Sequence, residues 1–144
     1  MRDSSSIRIF TRDEAERTLP LVRRIVRDLM QAYARWRSAV ERYELVAAEA
    51  HPEFGEPPEL RAAQAAVDAC AVEIDGYLRE LDQVGCLFKG FDQGLVDFYS
   101  LRDDRLVFLC WQYGEDTIGH WHEVDAGFAG RLPLDASLLT ESPR

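Results

Sequence analysis

Two helical seams separated by a proline-rich break limit this chain more than any other feature of its sequence. Val22, Val26, Leu29, Tyr33, Trp36, Val40, Tyr43 and Ala47 recur at alternating steps of four and three, and Leu60, Ala63, Val67, Cys70, Ile74, Tyr77, Leu81 and Val84 do so after the break. Such steps place every member of a run along one stripe of a helix. Between the seams, Ala50-His51-Pro52-Glu53-Phe54-Gly55-Glu56-Pro57-Pro58 carries three prolines and a glycine and cannot continue a helix. The spacing therefore predicts an antiparallel helical hairpin over about 8–50 and 58–85. Thr11 and Glu14 have the spacing of a reciprocal capping box and mark its start. Pro20 would break a helix interior but suits a first turn, so a short opening helix to about Thr18 is expected, with the long one starting at Pro20. Helices on the order of 40 Å long outreach a small sheet. Small Ala63 and Cys70 on one seam and bulky Tyr33, Trp36 and Tyr43 on the other lead us to expect a homodimer with a four-helix arrangement. The alternative is a monomeric hairpin with its own satellite core.

After Gly85 the helical period gives way to short apolar runs: Cys86-Leu87-Phe88, Leu95 to Leu101, Leu106 to Tyr113, and Ile118 to Val124. They read as strands. Turns are expected between Gly90 and Gly94, at Asp103-Asp104 and around Gly114, with an irregular wrap over 125–144. The fold class is α+β, one domain over 1–144, with the hairpin followed by an antiparallel meander over 86–124.

The unusual side chains cluster in the meander. His120 and His122 flank Trp121, and in a strand they share a face at about 7 Å between Cα atoms. Two imidazoles so placed can grip a metal such as zinc or manganese, with Asp97, Cys110, Glu115 or Glu123 as third ligand. Pairing across Asp103-Asp104 sets Asp97 opposite Cys110. A two- or four-residue turn at Gly114 would then set Cys110 opposite Trp121 and send Asp97, Cys110 and Glu123 to the face away from both histidines. A bulge or a three-residue turn reverses the face, so convergence stays open. Asp97 in an apolar strand, Trp111, Trp121 and Arg131 are candidate binding residues, and Glu115 is the candidate catalytic base. His51 reads as a solvated turn residue.

Composition narrows the function classes. The 144 residues are 47% apolar and 30% charged, as in a globular domain. No stretch approaches the roughly 18 uncharged apolar residues of a membrane span, and Met1 to Ser6 lacks the apolar core of a signal peptide. The net charge of −9 argues against whole-surface attraction to nucleic acid, although residues 1–45 hold ten arginines against seven acids. That Arg-rich helix leaves RNA or ribosome association as a third reading. Cys70, Cys86 and Cys110 lack metal-finger spacing and suit free thiols in the cytoplasm. Nucleophile elbows, phosphate loops, dinucleotide fingerprints and HExxH helices are absent. The leading expectation is a cytoplasmic homodimeric module that binds a protein or small molecule through an acidic, aromatic sheet surface. A metal-dependent hydrolase is the alternative.

A family resemblance runs through Phe10-Thr11, Glu14-Ala15, Leu19-Pro20-Leu21-Val22, Gly85, Lys89, Gly94-Leu95-Val96-Asp97-Phe98, Leu109-Cys110-Trp111, Gly114-Glu115, Trp121-His122-Glu123, Gly127-Phe128 and Gly130-Arg131. On these stretches, spanning roughly residues 8 to 134, the chain resembles a bacterial family known as domain of unknown function 2203. The resemblance implies one domain and no particular reaction or cofactor. It includes His122 in the matched motif and His120 less clearly.

Overall fold

Capping decides where the first helix begins. The Glu14 amide donates to Thr11 Oγ1 at 2.9 Å and the Thr11 amide donates to Glu14 Oε1 at 2.8 Å, so two amides that a helix start leaves free are satisfied. Helix α1 then runs over Arg12–Glu49. It is continuous through Pro20, which corrects the expected division at Thr18. Pro20 lies on the exposed face, where water can replace the donor that Glu16's carbonyl loses. Helix α2 covers Pro58–Val84, starting on a proline in its first turn. It ends at Gly85, whose φ of 106° belongs to the left-handed region and whose amide donates to Leu81's carbonyl at 3.1 Å.

The computed structural model describes residues 7–134. The last ten residues of the expected C-terminal wrap, and the opening Met1 to Ser6, lie outside the described residues. Five strands follow the hairpin: β1 (Leu87–Gly90), β2 (Leu95–Arg102), β3 (Arg105–Gln112), β4 (His120–Glu123) and β5 (Leu132–Pro133). They form an antiparallel meander in the order β1-β2-β3-β4-β5. Asp103 and Asp104, at φ 52° and 63°, make the tight hairpin between β2 and β3. Strand β5 is an addition, falling where an irregular wrap was expected. The architecture is α+β.

One sheet face packs on the helices. Val96 and Phe98 from β2, Val107, Leu109 and Trp111 from β3, and Trp121 from β4 share a core with Val22, Ile25, Val26 and Leu29 of α1 and Leu81 of α2. Beyond Ala32, α1 has no fully buried residue, and Tyr33, Trp36, Val40, Tyr43 and Ala47 are only half-buried. Phe91, in the turn after β1, stacks on Tyr33 at 4.3 Å and marks where the sheet stops covering the hairpin. The arginines of α1 are partly occupied within the fold. Arg12 Nε donates to Ile118's carbonyl at 2.7 Å, Arg23 to Asp116's carbonyl at 3.1 Å, and Arg35 meets Glu73 at 2.9 Å.

A buried aspartate, cysteine and histidine on the outer sheet face

Register decides which side chains meet. Asp97 pairs with Cys110, Cys110 with His120, and Phe108 with His122. Residues directly opposite one another in an antiparallel pair share a face, so Asp97, Cys110, His120 and His122 all project from the side away from the helices. Of the two faces left open above, the structure selects convergence. The connection from Tyr113 to Gly119 has an odd number of residues, which offsets β4 by one place and sets Leu109 opposite Trp121. Internal contacts hold that odd length. Glu115 accepts from the Gln112 amide at 2.8 Å, the Trp111 indole donates to Glu115's carbonyl at 3.0 Å, and the Ile118 amide donates to Glu16 of α1 at 2.8 Å.

Although neither long helix packs on this face, Asp97 (2% exposed), Cys110 (1%) and His122 (3%) are buried. Val124, Gly127 and Phe128, on the segment that follows β4, line the space above them together with Lys89 and Leu95. A ligand-type atom from each of Asp97, Cys110 and His122 lies within 4.8 Å of the other two. Tetrahedral bonds of about 2.0–2.3 Å set ligand atoms roughly 3.3–3.6 Å apart. The Asp97–His122 separation of 3.0 Å is slightly shorter than that spacing.

His122 is held in one orientation. Its Nδ1 lies 2.7 Å from the carbonyl oxygen of Glu123, which can only accept, so Nδ1 carries a proton. In the neutral ring Nε2 then presents a lone pair, and 3.0 Å away it faces Asp97 Oδ1, which in the carboxylate form is also only an acceptor. A cation belongs between them, either a second proton or a metal ion. A backbone carbonyl gripping the far nitrogen is also the usual support of a metal-bound histidine.

A thiol nucleophile fits less well. The His122 nitrogens lie against Glu123's carbonyl and the Asp97 carboxylate, so the imidazole is not paired with the Cys110 thiol as a nucleophile's base would be. Burial first, and then the charge of Asp97, push the Cys110 thiol up to about 12, with Arg131 opposing them. Without a metal the group stays a thiol. A bound metal would reverse this, because a coordinating thiol gives up its proton.

The other candidates fall outside the trio. His120 shares the face, but its Nδ1 lies 3.6 Å from Glu115 Oε2 and not against Asp97. Glu123, paired with Val107, belongs to the opposite face, and its carboxylate meets Arg105 at 2.7 Å. Glu115 Oε1 accepts from both the Gln112 amide and Arg131, each within 2.8 Å, which makes it a brace for the turn. Arg131 also donates to Cys110's carbonyl at 3.3 Å. Trp111 and Trp121 are buried on the inner face within the core. His51 is exposed, 3.7 Å from Glu53. Lys89 is the functional candidate that sequence reasoning passed over. It stands 4.0 Å from Asp97 Oδ2 and 5.0 Å from the Phe108 ring centre. Its signal was its rarity, the only lysine among sixteen arginines.

A larger hollow of about 590 Å³ lies at the hairpin tip, but its charged lining residues Arg42, Glu49, His51 and Glu59 are exposed. The buried Asp97, Cys110 and His122 make the smaller space the candidate site. No match was found among curated proteins or solved structures. A family model does match residues 8–134 and so takes in both the hairpin and the buried trio: the chain belongs to the family described as an uncharacterised conserved protein, DUF2203.

Proposed function

We propose that this protein binds one divalent metal ion through Asp97, Cys110 and His122 and uses the remaining coordination position for a small ligand. The observation that supports this best is the fixed His122 ring, whose Nε2 faces a carboxylate at 3.0 Å beside a buried thiol. Three protein ligands with a position to spare is the pattern of catalytic zinc; structural zinc is usually closed by four. A thiolate in the set favours zinc over manganese. His120, beside Glu115, and Glu123, paired with Arg105, stand outside this ligand set. A hydrolytic reaction is the natural chemistry if water takes the free position. Three free cysteines suit a reducing compartment, and we place the protein in the cytoplasm.

Elemental analysis of chelator-treated protein reloaded with zinc tests the proposal. Near-stoichiometric zinc that is lost in Cys110→Ser and in His122→Ala, but kept in His120→Ala, is expected. Equal zinc in all four proteins would sink it.

A second reading concerns the hairpin, and the graded burial of its seam supports it. Val22, Val26 and Leu29 are fully buried, whereas Trp36, Val40, Tyr43, Leu60 and Val67 are half-buried. A second copy laid against these positions completes a four-helix arrangement. Light scattering at micromolar concentration should give twice the chain mass, and a monomer there excludes this reading.

A further inference from the structure

Resting on the metal reading, we infer that the space beside the trio takes a short-chain carboxylate. Its volume is about 210 Å³. At about 30 Å³ per water, that is room for roughly seven waters, or a molecule with a similar count of heavy atoms. Its lining has two ends. Asp97, Cys110 and His122 form the polar floor with Lys89, while Leu95, Val124 and Phe128 supply apolar wall.

Charge then selects the ligand. The Asp97 carboxylate and a Cys110 thiolate together balance a divalent ion. Arg131 is balanced by Glu115 at 2.7 Å. Lys89, at 4.0 Å from Asp97 Oδ2, is beyond hydrogen-bond distance, and its side chain is 45% exposed, so its donors remain available. One positive charge is thus left at the space, and a monoanion answers it. A carboxylate can place one oxygen on the ion and the other on the Lys89 ammonium, with a stem of a few carbons against Leu95, Val124 and Phe128.

The test uses full-length protein loaded with cobalt(II), whose thiolate charge-transfer band reports the ion at Cys110 and whose ligand-field bands report the free position. Butyrate is titrated in, with butanol and butylamine as neutral and cationic controls of the same stem. Butyrate should shift the ligand-field bands saturably, the controls should not, and Lys89→Met should weaken butyrate by about tenfold with the thiolate band unchanged. Lys89 is half-exposed, so this variant is expected to fold. A normal thiolate band with no response to butyrate overturns the inference, as do equal responses to butanol or in Lys89→Met. Failure of the thiolate band to form rejects the metal centre itself, and the carboxylate site with it.

Discussion

Replacing Asp97 by Asn separates the two cations that can stand between Asp97 and His122. Asparagine keeps the size of the side chain, removes its charge, and can donate an amide hydrogen to the Nε2 lone pair across the 3.0 Å contact. Without metal, the carboxamide offers the Nε2 lone pair a donor of its own, so the ring nitrogen is not left without a partner. The variant therefore exchanges a charged contact for a neutral hydrogen bond and should differ from the native protein by no more than about 1 kcal/mol. With metal the outcome differs. Zinc at one hundred times its dissociation constant stabilises the native protein by about 2.7 kcal/mol, and the variant, lacking one of three ligands, should gain almost none of this. Urea unfolding followed by tryptophan fluorescence, with chelator and with zinc, measures both quantities on a core that holds Trp111 and Trp121. If Asp97→Asn costs 3 kcal/mol or more in chelator, and zinc stabilises neither protein, the contact is a structural ion pair closed by a proton. The metal reasoning then falls.

Three further outcomes follow from other parts of the molecule. Gly94 has a φ of +65°, and an added Cβ would lie 2.7 Å from Tyr113 Cβ and 2.8 Å from Met30 Sδ, so Gly94→Ala should lower unfolding stability by about 2–4 kcal/mol, read as a shifted urea midpoint. Thr11→Ala removes one arm of the capping box and should cost about 1 kcal/mol in the same assay, a cost that Thr11→Ser should largely avoid. Burial raises Cys86 and Cys110 from 9.0 to about 12, so the folded thiols keep protons that the unfolded chain releases first. In metal-free protein their contribution is complete below pH 9 and declines as pH rises from 9 towards 12, by about 1.4 kcal/mol per thiol per pH unit. A Cys86→Ala/Cys110→Ala double variant that declines just as steeply in chelator would show that the loss comes from other groups.

Much of the fold was legible because helices and tight turns obey local rules. The seams from Val22 and Leu60, the Thr11 cap, the Asp103-Asp104 hairpin and the pairing of Asp97 with Cys110 each depend on residues close in sequence, or on parity across a short turn. Pro20 misled because its cost depends on which face it occupies, and that is a tertiary fact. Strand β5 escaped notice because two residues carry no period. At the site, the sequence points to His120 and His122 as the pair, with Asp97, Cys110, Glu115 or Glu123 as third ligand, because strand alternation alone cannot say which of these groups the register brings together.

The sequence by itself determined a long helical hairpin, a meander, and a set of carboxylate, thiol and imidazole groups within the meander. Tertiary structure decided which of those groups meet. The deciding quantity is the odd length of the connection from Tyr113 to Gly119, held by Glu115 within the turn and by Glu16 from α1. Because strand side chains alternate faces, one residue more or less there would have turned His120 and His122 away from Asp97 and Cys110. Burial of the trio was likewise beyond local rules. It comes from the segment bearing Val124, Gly127 and Phe128, whose composition reads as loop and whose place over Asp97, Cys110 and His122 depends on the path the chain takes after β4.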